Sequence, residues 1–200
     1  MRFLSVFTIT LLLASTLLGP GAEAHTGVGT AAGLSHGFLH PVGGLDHILA
    51  MVGVGLLGFV IGGRARWLLP LSFIAMMAVG GALGVAGVGL PFVETGIALS
   101  VVVIGAAVAF GAKLPLALAA ALAGGFAVFH GHAHGAEMPL AASGLAYGLG
   151  FMAATALLHA VGLGAGVALQ QLLESASGRA SRLAGGVLSL SGLAILTGVL

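Results

Sequence analysis

Residues 67–93, WLLPLSFIAMMAVGGALGVAGVGLPFV, are 27 consecutive residues without a charge. A membrane-spanning helix needs about 20 apolar residues to cross the hydrocarbon core of a bilayer. The rest of the chain has the same character, because only 6% of its residues are charged and 59% are hydrophobic. Soluble domains carry roughly 25% charged residues. The composition therefore predicts an integral membrane protein of the all-α class.

Charged residues divide the sequence into six apolar runs, which cover residues 45–63, 67–93, 95–112, 114–129, 138–173 and 183–200. The first run is apolar apart from Asp46 and His47 at its start. The run at 138–173 is long enough for one span or for two short ones. One span places all the basic residues of the connecting segments on the cytoplasmic side, as the positive-inside rule favours. These residues are Arg64, Arg66, Lys113, Arg179 and Arg182. We therefore expect a polytopic membrane helix bundle with six transmembrane helices.

The N-terminus has the pattern of a cleaved signal peptide. Arg2 precedes an apolar run at residues 3–18, and Ala22-Glu23-Ala24 follows a Pro-Gly break. This order of basic, apolar and small residues is typical of secretory signals, and the run is short for a span of about 20 residues. We expect a signal peptide at 1–24 and a transmembrane domain at 25–200. The mature N-terminus would then be periplasmic, on a bacterial inner membrane; an uncleaved first helix is the alternative.

The composition also excludes several classes of function. Six Lys and Arg residues cannot form a phosphate-binding face, so nucleic acid is not an expected partner. The absence of Cys excludes disulfides and thiolate metal sites. The sequence contains neither the H-E-x-x-H motif of metalloproteases nor a phosphate-binding G-x-x-x-x-G-K-[ST] loop. We expect a protein of the lipid bilayer that is not an enzyme and holds no permanent cofactor. The sequence leaves open whether it forms a homo-oligomer.

The eight His residues outnumber Lys and Arg together, and five of them fall in two clusters. The first cluster is HPVGGLDH at residues 40–47, with Met51 one turn further on. If a helix begins at its start, His40 and His47 share one face, since residues seven apart lie within about 20° on an α-helix. Asp46 lies about 100° away. It could bind the same ion, orient an imidazole from another helix, or stabilise the positive end of its own helix.

The second cluster is FHGHAHGAEMP at residues 129–139. If the preceding helix continues through it, His130, His134 and Glu137 share one face, and His132 points the other way. Gly131 would leave space for a neighbouring helix. The alternative is a solvated His-rich loop with incidental metal affinity.

Imidazoles and carboxylates without thiolates suit Ni²⁺, Co²⁺ or Zn²⁺ better than Cu(I). Because protonated imidazole cannot bind a cation, metal binding should weaken below about pH 6. Further candidates for a metal path are His25, His36, Met51, His132 and His159. Among them His159 lies deep in an apolar run, as either a second metal station or a hydrogen-bonded structural imidazole.

Together the two clusters resemble the HupE/UreJ family of nickel permeases, which accompany hydrogenase and urease. His40, Asp46 and His47 match H-x5-D-H, and residues 129–137 match F-H-G-x-A-H-G-x-E. The resemblance implies import of Ni²⁺, or Co²⁺, across the inner membrane for metalloenzyme maturation. The metal-site residues it implies are His40, Asp46, His47, His130, His134 and Glu137. Two alternatives are a membrane metal sensor or storage protein and a b-type haem protein, which needs imidazoles opposed across the bundle.

Overall fold

The computed structural model describes residues 30–138, 143–173 and 176–200. These residues form seven α-helices and no strand, which confirms the all-α class for the described ranges. The helices are α1 (Thr30–Leu39), α2 (Leu45–Ile61), α3 (Ala65–Val85), α4 (Val93–Ala109), α5 (Leu116–Ala136), α6 (Gly144–Leu173) and α7 (Ser177–Leu196). A 3-10 turn, His40–Val42, joins α1 to α2. The predicted signal peptide and His25 lie outside the described residues.

The helices follow the apolar runs except where glycine and proline interrupt them. The uncharged run at 67–93 is not one helix, because α3 ends at Val85. Gly87 then adopts a φ of 70°, in the left-handed region that glycine tolerates, and Pro91 lacks the N–H needed to continue a helix. The run at 138–173, by contrast, contains the single long helix that the charge pattern predicts, since α6 is continuous over 30 residues.

Three of the described helices, α3, α5 and α6, are long and apolar enough to cross a membrane. A fourth candidate span arises if α1 and α2 are taken together, although they meet at an angle of 81°. Helix α4 is apolar but has only 17 residues. The first turns of α7 carry Arg179 and Arg182, which lowers its hydrophobicity. The described helices therefore support three or four spans, and the six-span topology stays a prediction.

Glycines allow the helices to pack with their backbones in direct contact. Gly131 of α5 faces the Met77 carbonyl of α3, and Gly80 of α3 faces the Val128 carbonyl of α5. The same reciprocal arrangement joins α2 to α6, α4 to α7 and α1 to α6. The glycines concerned are Gly55 and Gly162, Gly105 and Gly185, and Gly37 and Gly150. Small residues at helix contacts replace the hydrophobic drive that lipid cannot provide.

We predict that Gly131→Ala destabilises the protein, because a methyl group there would collide with the Met77 carbonyl. Overpacking of this kind costs about 1–3 kcal/mol. The matched control is Gly125→Ala on the same helix, where an added methyl group would meet no described atom within 4 Å. Gly125→Ala should leave the free energy of unfolding unchanged or raise it by up to about 1 kcal/mol. Reversible unfolding in mixed micelles measures both; equal stability of the two variants would contradict the prediction.

Candidate metal site

The second histidine cluster lies on a buried helix. Helix α5 continues to Ala136, and Glu137 follows its last turn. His130 is fully buried and His134 is 5% exposed. The segment is therefore helical and packed, which rules out the solvated His-rich loop.

The first cluster does not form one helix, so the expected common face of His40 and His47 is wrong. His40 lies in the 3-10 turn, and α2 begins only at Leu45, after Gly44 in an extended conformation. The 81° bend nevertheless brings both imidazoles to His134. The ring of His134 lies 4.6 Å from that of His40 and 4.2 Å from that of His47, measured between centroids. The bend between α1 and α2 thus brings His40 and His47 to one site, as a shared helix face was expected to do.

Three side chains are close enough to bind one ion. His40, His134 and Glu137 each offer one ligand atom, and these atoms all lie within 4.8 Å of one another. The His40 Nε2 atom is 3.3 Å from the Glu137 Oε2 atom. Neither ring nitrogen of His134 has a hydrogen-bond partner in the described part of the chain. A carboxylate and two imidazoles are suitable ligands for a divalent transition metal.

These side chains line a pocket of about 560 Å³ that opens to the surface. Asp46, Glu137 and Tyr147 contribute to its wall, and no Lys or Arg is among its described lining residues. The two carboxylates give the pocket a negative charge, which attracts cations.

Asp46 orients the neighbouring His47. Its Oδ1 atom accepts hydrogen bonds from the His47 Nδ1 atom, at 2.7 Å, and from the His47 backbone N–H, at 2.8 Å. The Nδ1–H bond leaves the lone pair of the neutral ring on Nε2, which has no partner within the described ranges. Of the three roles considered for Asp46, the structure favours that of an orienting carboxylate. The imidazole that it orients is the next residue, whereas the orienting role considered above involved an imidazole from another helix.

Ser100 fixes His130 in the same way, and sequence reasoning missed it. The Ser100 hydroxyl donates its only hydrogen to the Ile97 carbonyl, at 2.6 Å. The His130 Nε2–H group must therefore donate to the Ser100 Oγ atom, 2.8 Å away. The lone pair of His130 then lies on Nδ1, which is unpaired among the residues described.

The result is a continuous series of imidazoles, which we call the imidazole row: His40, His134, His47 and His130. Successive ring centroids are 4.6, 4.2 and 4.7 Å apart. The row begins at the pocket and ends in the apolar core. Aromatic rings flank it, and none of them was predicted from the sequence; they are Tyr147 beside His40, Phe151 beside His134, and Phe73 beside His130.

The remaining candidates lie outside the row. His36 is exposed and lines the pocket entrance. His132 points away from the row, and its Nε2–H group donates to the Val88 carbonyl at 2.7 Å. Met51 is fully buried in the apolar core, and His159 is buried beyond Phe73.

We predict that Ser100→Ala changes the protonation site of the His130 ring. The wild-type ring should carry its proton on Nε2, and the variant ring should exchange between both neutral tautomers, because the acceptor is removed. Ser189→Ala is the matched control, since Ser189 donates to the Val102 carbonyl away from the row. Nitrogen-15 NMR of the histidine rings measures the protonation site. A wild-type His130 protonated on Nδ1 would contradict this assignment.

Comparison with known proteins agrees with the two motifs. The sequence model of the family described as HupE / UreJ protein matches residues 12–195. The protein named Protein HupE of Rhizobium leguminosarum bv. viciae is 46% identical over 194 residues, which cover 95% of this chain and 97% of the relative. No solved structure matches the chain. The chain therefore belongs to the HupE/UreJ family.

Proposed function

We propose that the protein is a permease that imports Ni²⁺, or Co²⁺, across the bacterial inner membrane for the maturation of hydrogenase or urease. The observation that carries this proposal is the convergence of His40, His134 and Glu137, with one ligand atom of each within 4.8 Å of the others. The ion is the transported substrate, and these three residues bind it first. His47 and His130 extend the path inward.

The chemistry of the row supports a transition-metal substrate. Ni²⁺ and Co²⁺ accept imidazole nitrogen readily, whereas Mg²⁺ prefers oxygen ligands and keeps much of its water. His47 and His130 each present an unpaired ring nitrogen in the described structure. Their orientation by Asp46 and Ser100 means that the ion meets lone pairs and not N–H groups.

The proposed topology places the pocket on the outer face. In this topology the mature N-terminus is periplasmic, and the chain crosses the membrane six times. The same topology places Arg66 and Arg182 on the cytoplasmic side. There they line a second pocket, of about 440 Å³, beside the connection between α2 and α3. A divalent cation that moves inward down about 100 mV gains about 4.6 kcal/mol, which provides a driving force without ATP.

The b-type haem alternative is disfavoured by the spacing of the rings. Two axial imidazoles must leave room for the macrocycle between them. The rings of the imidazole row are in edge contact, with centroids 4.2 to 4.7 Å apart. A sensor or storage protein would also bind the ion in this pocket, and flux across the membrane distinguishes the two functions.

We predict that purified protein in liposomes admits Ni²⁺ without protons or ATP as an energy source. His40→Ala and His134→Ala should each lower the initial rate about tenfold or more, because loss of even the hydrogen-bond partner of a metal ligand costs about 10–100-fold in affinity or activity. His132→Ala is the matched control and should retain the wild-type rate, since its ring lies outside the row. Excess Mg²⁺ should compete poorly.

Entrapped metal indicator dye reports the flux in these experiments. Wild-type protein that binds Ni²⁺ but gives no flux would favour the sensor or storage function. A wild-type rate in His134→Ala would reject the proposed site.

A further inference from the structure

His159 is a buried imidazole that the imidazole row does not include. It is 2% exposed, and neither of its ring nitrogens has a hydrogen-bond partner in the described ranges. Its helix packs closely against α2 at this level, where Gly55 lies directly against the His159 carbonyl.

A purely structural histidine is expected to be hydrogen-bonded, since buried polar atoms rarely lack partners. His132, which is buried and lies outside the row, follows this rule, because its ring donates to the Val88 carbonyl. Leu at position 159 would fill the same space without burying two polar atoms. The unpaired nitrogens of His159 therefore point to a ligand.

Phe73 connects His159 to the imidazole row. Its fully buried ring lies 5.5 Å from the ring of His130 and 5.1 Å from that of His159, measured between centroids. The two histidines thus contact one aromatic ring, and His159 is the next imidazole inward from the end of the row.

The position of His159 along α6 is close to the middle of the helix. It lies about 22 Å from Gly144 and about 21 Å from Leu173, at 1.5 Å per residue. Thr155 lies one turn earlier, on the same side of α6. Its hydroxyl donates to the Met77 sulfur at 3.7 Å, so its oxygen lone pairs remain available.

We propose that His159 is a second binding station for the transported cation, halfway through the bundle and reached past the Phe73 ring. The inference rests on the proposed permease function. The imidazole of His159 supplies one ligand, and Thr155 offers an oxygen beside it. Water completes the coordination of the ion. A station at this depth divides the passage through the apolar core into two shorter steps.

The test compares His159→Leu with the wild type in two measurements: equilibrium binding of radioactive Ni²⁺ in detergent, and the concentration dependence of Ni²⁺ uptake into liposomes. We expect unchanged binding at the outer pocket and an unchanged half-saturating concentration. The maximal rate should fall about tenfold or more, as for the loss of a contact to a charged group. His132→Leu is the matched control and should retain both properties.

A His159→Leu protein that binds Ni²⁺ and transports it within about twofold of the wild-type rate would overturn the inference. Absence of flux in the wild type itself would instead reject the permease function, so the two failures are distinguishable. If His159→Leu does not fold, labelling of His159→Cys provides a second test of the station. The chain has no other Cys, so a thiol reagent labels only this position. Ni²⁺ at concentrations that saturate transport should slow the labelling. Labelling at the same rate with and without Ni²⁺ would overturn the inference.

Discussion

Helix backbones lie in direct contact across this bundle, and the positions of its histidine side chains follow from those contacts. Gly131 can face the Met77 carbonyl only because it has no side chain, and Gly80 faces the Val128 carbonyl for the same reason. The contact fixes the rotation of α5, and with it the direction of His130 and His134. Lipid provides no hydrophobic force to hold helices together, so close packing must supply the attraction. The glycines of the histidine motif thus position the imidazoles that lie beside them.

The sharp bend before α2 completes the site. On one continuous helix His40 and His47 would lie about 10 Å apart along the axis, whereas the 81° bend brings both rings into contact with His134. Asp46 and Ser100 then fix the tautomers of two inner rings, so that unpaired nitrogens follow one another from the pocket toward the core. In the proposed function, neutral imidazoles bind the divalent ion and two carboxylates offset its charge, which is ligand chemistry that Ni²⁺ and Co²⁺ accept.

Much of this arrangement is predictable from helical periodicity. The spacing of His130, His134 and Glu137 predicts their common face, because it depends on one unbroken helix. The relation of His40 to His47 is not predictable in this way, since two glycines between them interrupt the helix. Ser100 escapes sequence reasoning for another reason: its partner lies 30 residues away, and a single serine in an apolar run gives no signal. Contacts across the bundle depend on helix packing, which periodicity within one helix does not report.

The most direct test of the site is X-ray absorption at the nickel edge of the nickel-loaded protein. We expect a shell of nitrogen and oxygen ligands that includes two imidazoles, contributed by His40 and His134. His40→Ala should remove one of them and leave the other. A sulfur ligand, or an imidazole count that is unchanged in His40→Ala, would contradict binding of the ion between the bent turn and α5.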